Sequence, residues 1–274
     1  MTSKLLLDNV SSIENTGVDY KEIMNDPQFK FQGWLWNHAT IRRLYGMVEN
    51  KLEGWTPTTR EEIDNVVRAM RAVEGFVLYH HNEEDNDAFP WLQQHHPKLA
   101  TVLQELDKDH QHWDKISSEL DILLTTIEKD QSLTSASSPG WQSTHLALVD
   151  INKRAIKVIV DHLKVEEEKL VPMFKAIDKK EQEKFDQKMQ DNTRANGAST
   201  SRFNLCAMFD TANNDPIVKS GTDKLVPWLA RTMLPKIWYK SNYKWFLKAL
   251  NTNTNNEKEK KKIKKEREKE KVVN

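Results

Sequence analysis

Four stretches of this chain carry an apolar stripe at three-to-four spacing, and each stripe has a histidine where the pattern calls for a hydrophobe. In the first, Phe31, Trp34, His38, Ile41, Tyr45, Val48 and Leu52 share one helix face. The second opens at Thr58 or Thr59, with Glu61 and Glu62 placed as capping-box partners. It continues through Ile63, Val66, Met70, Val73, Val77, His80 and Glu84. The third follows Pro97 and reads Leu99, Leu103, Leu106, His110, Trp113, Ser117, Leu120 and Leu124. The fourth follows SLTSASSPG, a loop by composition, and carries Ile151, Ala155, Ile159, His162, Glu166, Leu170 and Met173. Stripes of this kind predict an all-α fold whose helices pack their apolar faces together. Eight Gly and nine Pro in 274 residues are few for a sandwich or barrel, where turns tend to need them.

The polar residues inside these stripes bear on function. All nine histidines (38, 80, 81, 95, 96, 110, 112, 145 and 162) lie between residues 38 and 162. Glu84 and Glu166 each follow a striped histidine by one turn, so each carboxylate faces inward beside its histidine. A buried, unpaired carboxylate is costly. Metal coordination is the most economical compensation, because one cation neutralises the carboxylates and uses the imidazole lone pairs.

The two pairs recur in one pattern. His80 and Glu84 sit in HHNEEDNDAFP, His162 and Glu166 in HLKVEEEKLVP, and in both a Pro (Pro90, Pro172) follows the Glu by six residues. A lone His-x-x-x-Glu is common by chance. Two in the same register, each preceded by a helix with one inward histidine, form a much more specific signal. On these residues, with His38 in NHATIRR and His110 in DKDHQHW, the chain resembles the hemerythrin-like family of HHE cation-binding domains over roughly residues 28 to 178. The resemblance implies an antiparallel up-down-up-down four-helix bundle holding a non-haem di-iron centre. It implies two iron ions, oxo- or hydroxo-bridged, with His38, His80, His110 and His162 as ligands and Glu84 and Glu166 bridging. Manganese or zinc would also suit a mixed N/O site. His81 and Asp85 form a copy of the motif shifted by one residue and stand as the alternative ligand pair.

The chain departs from the oxygen-carrying pattern on the third helix. There the family's oxygen carriers place two histidines one turn apart, whereas Leu106 and Asp114 flank His110 here. That favours binding or sensing of iron, dioxygen or nitric oxide over reversible oxygen carriage. A di-iron enzyme acting on oxygen, peroxide or nitric oxide is the alternative, and a structural, partner-binding bundle with metal for stability is a third. No polar pocket for a defined substrate is legible, so an enzyme is the less favoured reading. The cluster-repair branch of the family carries an N-terminal cysteine pair, and the one cysteine here is Cys206. Glu-x-x-His, His-Glu-x-x-His, Cys-x-x-Cys-His and Gly-rich phosphate-loop signatures are absent.

The remaining chain divides by composition. Residues 1–27 form an N-terminal segment without the features of a targeting peptide. Residues 178–195 look like a polar, exposed continuation of the fourth helix. A C-terminal extension to residue 250 carries Trp228, Trp238, Tyr239, Tyr243, Trp245 and Phe246, and is expected to form short helices on the bundle, with a protein partner through 228–246 as the other reading. Residues 251–274 form a Lys/Glu-rich tail expected to be disordered, with nine Lys/Arg against five Glu between Glu257 and Lys271. Lys+Arg and Asp+Glu balance at 41 each, which gives no reason to invoke nucleic acid, and no run approaches a membrane span. A cytoplasmic location is expected, with the basic tail as a candidate nuclear signal.

Overall fold

Each of the four stripes becomes one long helix in the computed structural model, which describes residues 15–195, 198–226 and 237–250. A single turn, α1 (Tyr20–Ile23), precedes α2 (Gln32–Leu52), α3 (Arg60–Glu83), the short α4 (Phe89–His95), α5 (Ala100–Lys129) and α6 (Trp141–Ala176). Local chemistry sets several of their ends. The Thr59 hydroxyl caps α3 by accepting from the Glu62 amide, and the Glu62 carboxylate accepts in turn from the Thr58 amide at 2.6 Å. Gly140 opens α6 at φ 83°, a left-handed conformation that glycine adopts without a Cβ clash. Between α3 and α4, Glu84–Ala88 form one π-helical turn, and the 3-10 turn Pro97–Leu99 leads into α5. No strand occurs among the described residues.

The four long helices close a ring: α2 packs on α3 and α6, and α5 packs on the same two. Their apolar faces form two clusters rather than one. Ile41, Val73, Val77, Trp113, Ile159 and Leu163 belong to the first. Leu35, Phe89, Leu106, Leu170 and Phe174 belong to the second. On α2 the boundary falls at His38, on α5 at His110, and on α6 at His162 to Glu166, so a polar layer separates two apolar ones. Each fully buried aliphatic or aromatic side chain contributes on the order of 1.5–3 kcal/mol. The two clusters can therefore hold the intervening polar groups in place despite the cost of burying them.

The flanking segments are more involved than their composition suggests. Residues 178–195 do not continue α6; the chain breaks at Ile177 and starts a separate helix, α7 (Lys179–Ala195). Gln182 is fully buried in it, and the Phe185 ring stacks on Trp91 with centroids 4.4 Å apart. Among the described residues, α8 (Ala198–Asn214), α9 (Pro216–Leu225) and α10 (Lys244–Leu250) follow. Helices α8 and α9 pack on α2, and α10 packs on α3. Tyr243, Phe246 and Leu250 join the first apolar cluster, and the Arg68 guanidinium lies over the Trp245 ring at 3.9 Å. In the described part of the aromatic segment, Tyr243 and Phe246 are buried against the bundle, while Trp238, Tyr239 and Trp245 are half-buried. Trp228, residues 1–14 and the charged tail lie outside the described residues.

Candidate metal centre

The centre starts from the register of α3. Glu84 is four residues beyond His80 and three beyond His81, and both spacings bring side chains to the same helix face. His80 and His81 diverge across that face, His80 towards His38 of α2 and His81 towards His110 of α5. Their ring centroids lie 4.9 Å and 3.9 Å from those partners. His162 and Glu166 arrive from α6, one turn apart. All seven side chains are buried, none more than 3% exposed.

Donor atoms gather into two groups, His38, His80, Glu84 and Glu166 in one and His81, Glu84, His110 and His162 in the other. Within each, the ligand atoms lie within 4.8 Å of one another. Glu84 belongs to both. Its Oε1 is 3.1 Å from His80 Nε2, and its Oε2 is 3.6 Å from His110 Nε2. Glu166 Oε2 also lies between the two sets, 3.6 Å from His38 Nε2 and 3.3 Å from His162 Nε2. All six residues singled out in the sequence are therefore in this cluster. His81 is the addition: it and Asp85 were set against His80 and Glu84 as alternatives, whereas His80 and His81 both point inward and Asp85 does not join them. The signal was in the sequence, since His-His-x-x-Glu satisfies i,i+3 and i,i+4 spacing together.

As protein alone the layer is poorly satisfied. Hydrogen-bond partners are lacking for the buried His38 Nε2, His80 Nε2, both His81 ring nitrogens, Glu84 Oε2 and both Glu166 oxygens. An unsatisfied buried polar atom costs about 1–3 kcal/mol, and more when charged. Burial, followed by Glu166, raises the Glu84 pKa above the ordinary carboxylate value. Burial and the surrounding imidazoles hold His80 and His81 below the usual histidine value, the neutral form a metal requires. Burial also opposes protonation of His162, but Glu166 and Asp109 outweigh it and push that imidazole up to about 10. Orphaned imidazole and carboxylate atoms aimed at common points fit one or two divalent cations of N/O preference.

An outer shell of carboxylates orients two of the histidines and faces a third; the sequence singles out Asp85 only as an alternative ligand, and Glu167 and Asp109 not at all. Glu167, fully buried, accepts from the Gly17 amide, the Tyr20 hydroxyl and the Arg42 guanidinium, each at 2.7 Å, and lies 3.0 Å from His38 Nδ1. Asp85 Oδ1 is 2.9 Å from His110 Nδ1, and Asp109 Oδ2 is 3.7 Å from His162 Nδ1. A carboxylate on the outer ring nitrogen fixes the tautomer that leaves the inner nitrogen free to ligate. Burial opposes ionisation of Glu167, yet His38 and Arg42 prevail and hold it at about 2. The Trp34 indole N–H donates to Glu84 Oε1 at 2.5 Å. His95, His96 and His145 bond backbone carbonyls of Trp91, Met173 and Leu52, and His112 is exposed.

The family described as the hemerythrin HHE cation-binding domain matches residues 34–174. An uncharacterized protein of Dictyostelium discoideum is 25% identical over 252 residues, which cover 90% of this chain and 97% of that relative. No solved structure gives a significant match.

Proposed function

This chain belongs to the hemerythrin HHE cation-binding family, and from that premise we propose that it is a non-haem di-iron protein that binds or senses iron, dioxygen or nitric oxide. In this reading the bundle is antiparallel and up-down-up-down. His38 and His80 would hold one iron and His81, His110 and His162 the other, with Glu84 and Glu166 available to both. The observation that carries it is the convergence of two buried donor groups on a shared Glu84, with most inward-facing atoms otherwise unpartnered.

Two six-coordinate ions offer about twelve positions. Five imidazoles take five and two bridging carboxylates take four, which leaves about three for water or a small exogenous ligand. His81 supplies the fifth imidazole that α5 lacks beside His110, so the composition of α5 no longer counts against oxygen binding. The unequal split, two histidines against three, would leave about two of these positions on the His38–His80 side and about one on the other. The Trp34 ring lies tilted against His38 with centroids 4.0 Å apart and covers the His38–His80 side of the layer. When bound, ferrous iron would supply redox chemistry and affinity for diatomic ligands. The protein's part is to hold five imidazoles and two carboxylates in a buried layer between apolar clusters.

Anaerobic reconstitution with ferrous iron tests this directly. About two irons per chain are expected, falling to one or fewer in Glu84→Ala and in His81→Ala and unchanged in His112→Ala. Visible bands that appear with oxygen or nitric oxide and reverse on its removal support binding; sustained consumption of oxidant would mark an enzyme instead. Less than one iron per chain, indifferent to Glu84, would sink the proposal.

A further inference from the structure

Beyond the metal layer, one hydrogen-bonded chain of side chains links it to the surface. Trp113 of α5, 1% exposed, meets the His81 ring edge-on with centroids 5.1 Å apart. Its indole N–H donates to the Tyr45 hydroxyl oxygen of α2 at 3.0 Å, and the Tyr45 O–H donates to Glu74 Oε1 of α3 at 2.8 Å. Glu74 Oε2 is buried and makes no hydrogen bond of ordinary geometry, although the Ser117 hydroxyl faces the carboxylate. Glu74 also lines a surface groove of about 460 Å³ between α3 and α5, with Arg71 and Leu78 on one wall and Ser117, Ser118 and Ile122 on the other. Leu78 and Ile122 are large apolar side chains left exposed there.

We propose that Trp113, Tyr45 and Glu74 form a one-electron relay between the candidate metal layer and the α3/α5 groove, with Tyr45 as the redox-active group and Glu74 as its proton acceptor. The step balances within the trio. Tyr45 gives up one electron to an oxidant, its O–H bond breaks, and the proton passes along the existing 2.8 Å hydrogen bond to Glu74 Oε1, leaving a neutral tyrosyl radical. A one-electron reductant in the groove restores the electron, and Glu74 returns the proton. Burial and the facing Glu74 raise the Tyr45 phenol well above its usual pKa, so it does not ionise before oxidation, and the proton is lost to Glu74 on oxidation. Burial likewise raises Glu74, which makes its carboxylate a better base for the phenol proton. Trp113 occupies the phenol oxygen as a donor, so the Tyr45 hydroxyl has Glu74 as its acceptor. For packing alone the arrangement is a poor choice, because an apolar trio would leave no buried carboxylate oxygen poorly satisfied.

The direction of electron flow, towards an oxidant of the peroxide class at the layer, rests on the di-iron reading. The relay itself does not, and it is tested without metal. A ruthenium(II) polypyridyl photosensitiser is tethered to the metal-free full-length chain through Ser118→Cys, an exposed groove position. Cys206 competes poorly for the label because it is buried and burial pushes its thiol up to about 11. Flash oxidation to ruthenium(III) is expected to give a tyrosyl radical in electron paramagnetic resonance. Tyr45→Phe should abolish it, Tyr79→Phe should leave it intact, and Glu74→Gln should cut its yield about tenfold or more. In the labelled Ser118→Cys chain with Tyr45 and Glu74 unchanged, deuterium oxide should slow radical formation, a readout that needs no substitution within the trio. A radical that survives Tyr45→Phe, a yield indifferent to Glu74→Gln, or no solvent isotope effect would overturn the relay and leave the metal assignment untouched.

Discussion

Replacing Glu167 by Gln removes one charge from the most heavily bonded carboxylate in the protein and changes almost nothing in shape. Tyr20, Arg42 and His38 all meet Oε1, which a glutamine keeps as a neutral and weaker acceptor. The Gly17 amide donates to Oε2, where the new NH2 group would face it donor to donor. Arg42, 5% exposed, would lose the counter-charge that compensates its own burial. Breaking a buried pair from one side costs about 3–5 kcal/mol. Linkage gives an independent figure: Glu167 is held at about 2 against an ordinary 4.5, and a gap of this size corresponds to about 3 kcal/mol. The sign follows from the depression. Folding favours the ionised form, so the contribution is complete above pH 4.5 and is lost as pH falls towards 2. Urea denaturation of wild type and Glu167→Gln, at pH 7 and again at pH 3, measures both numbers. The expected difference is about 3 kcal/mol at neutral pH and less than half of that at pH 3. A neutral-pH difference below about 1 kcal/mol, or one that does not narrow in acid, would refute the assignment of Glu167 as a buried anion tying the N-terminal segment to His38.

Three further outcomes are open to direct measurement. A Cβ on Gly17 would lie 2.1 Å from the Lys164 carbonyl oxygen and 2.7 Å from the Glu168 amide, both backbone atoms of α6. Gly17→Ala should therefore undock the segment before α1, seen as faster hydrogen exchange at residues 16–24 and a loss of about 2 kcal/mol; unchanged exchange would contradict the close approach. Lys51 is 6% exposed and burial pulls its ammonium down to about 8, so the folded state disfavours its charge at neutral pH. Lys51→Met should stabilise by about 1 kcal/mol at pH 7 after allowance for solvent screening, and the advantage should fade as pH rises from 8 to 10.5 and the wild-type lysine loses its proton in both states; an advantage that persists at pH 11 would point to packing instead. Ferrous iron at about a hundredfold excess over its Kd should add about 2.7 kcal/mol. For a chain of this size that is a rise of about 5–10 °C in Tm, reversed by chelator and absent in Glu84→Ala; no shift would mean that the layer is not a metal site.

The sequence by itself determined the helices and which residues face inward on each. Periodicity of 3.6 is a property of one helix and needs no knowledge of its neighbours, so His38, His80, Glu84, His110, His162 and Glu166 could be picked out from their stripes. The repeated His-x-x-x-Glu with its trailing Pro was legible for the same reason. What only the tertiary structure decided is how wide the inward face is. Glu84 on α3 looks into a layer shared by α2, α5 and α6, and on that side two successive histidines, about 100° apart around the axis, can both be interior. A single stripe admits one of them, which is why His81 read as a rival of His80 rather than its companion. Glu167 escaped notice, and Asp85 read as an alternative ligand, because each lies one position beyond a ligand and acts on a histidine of a different helix. The placement of Gly17, Tyr20 and Phe185 depended on contacts far along the chain, and periodicity does not encode where a segment returns. Helix-local information names the residues; the angle between neighbouring helices decides which of them share a metal.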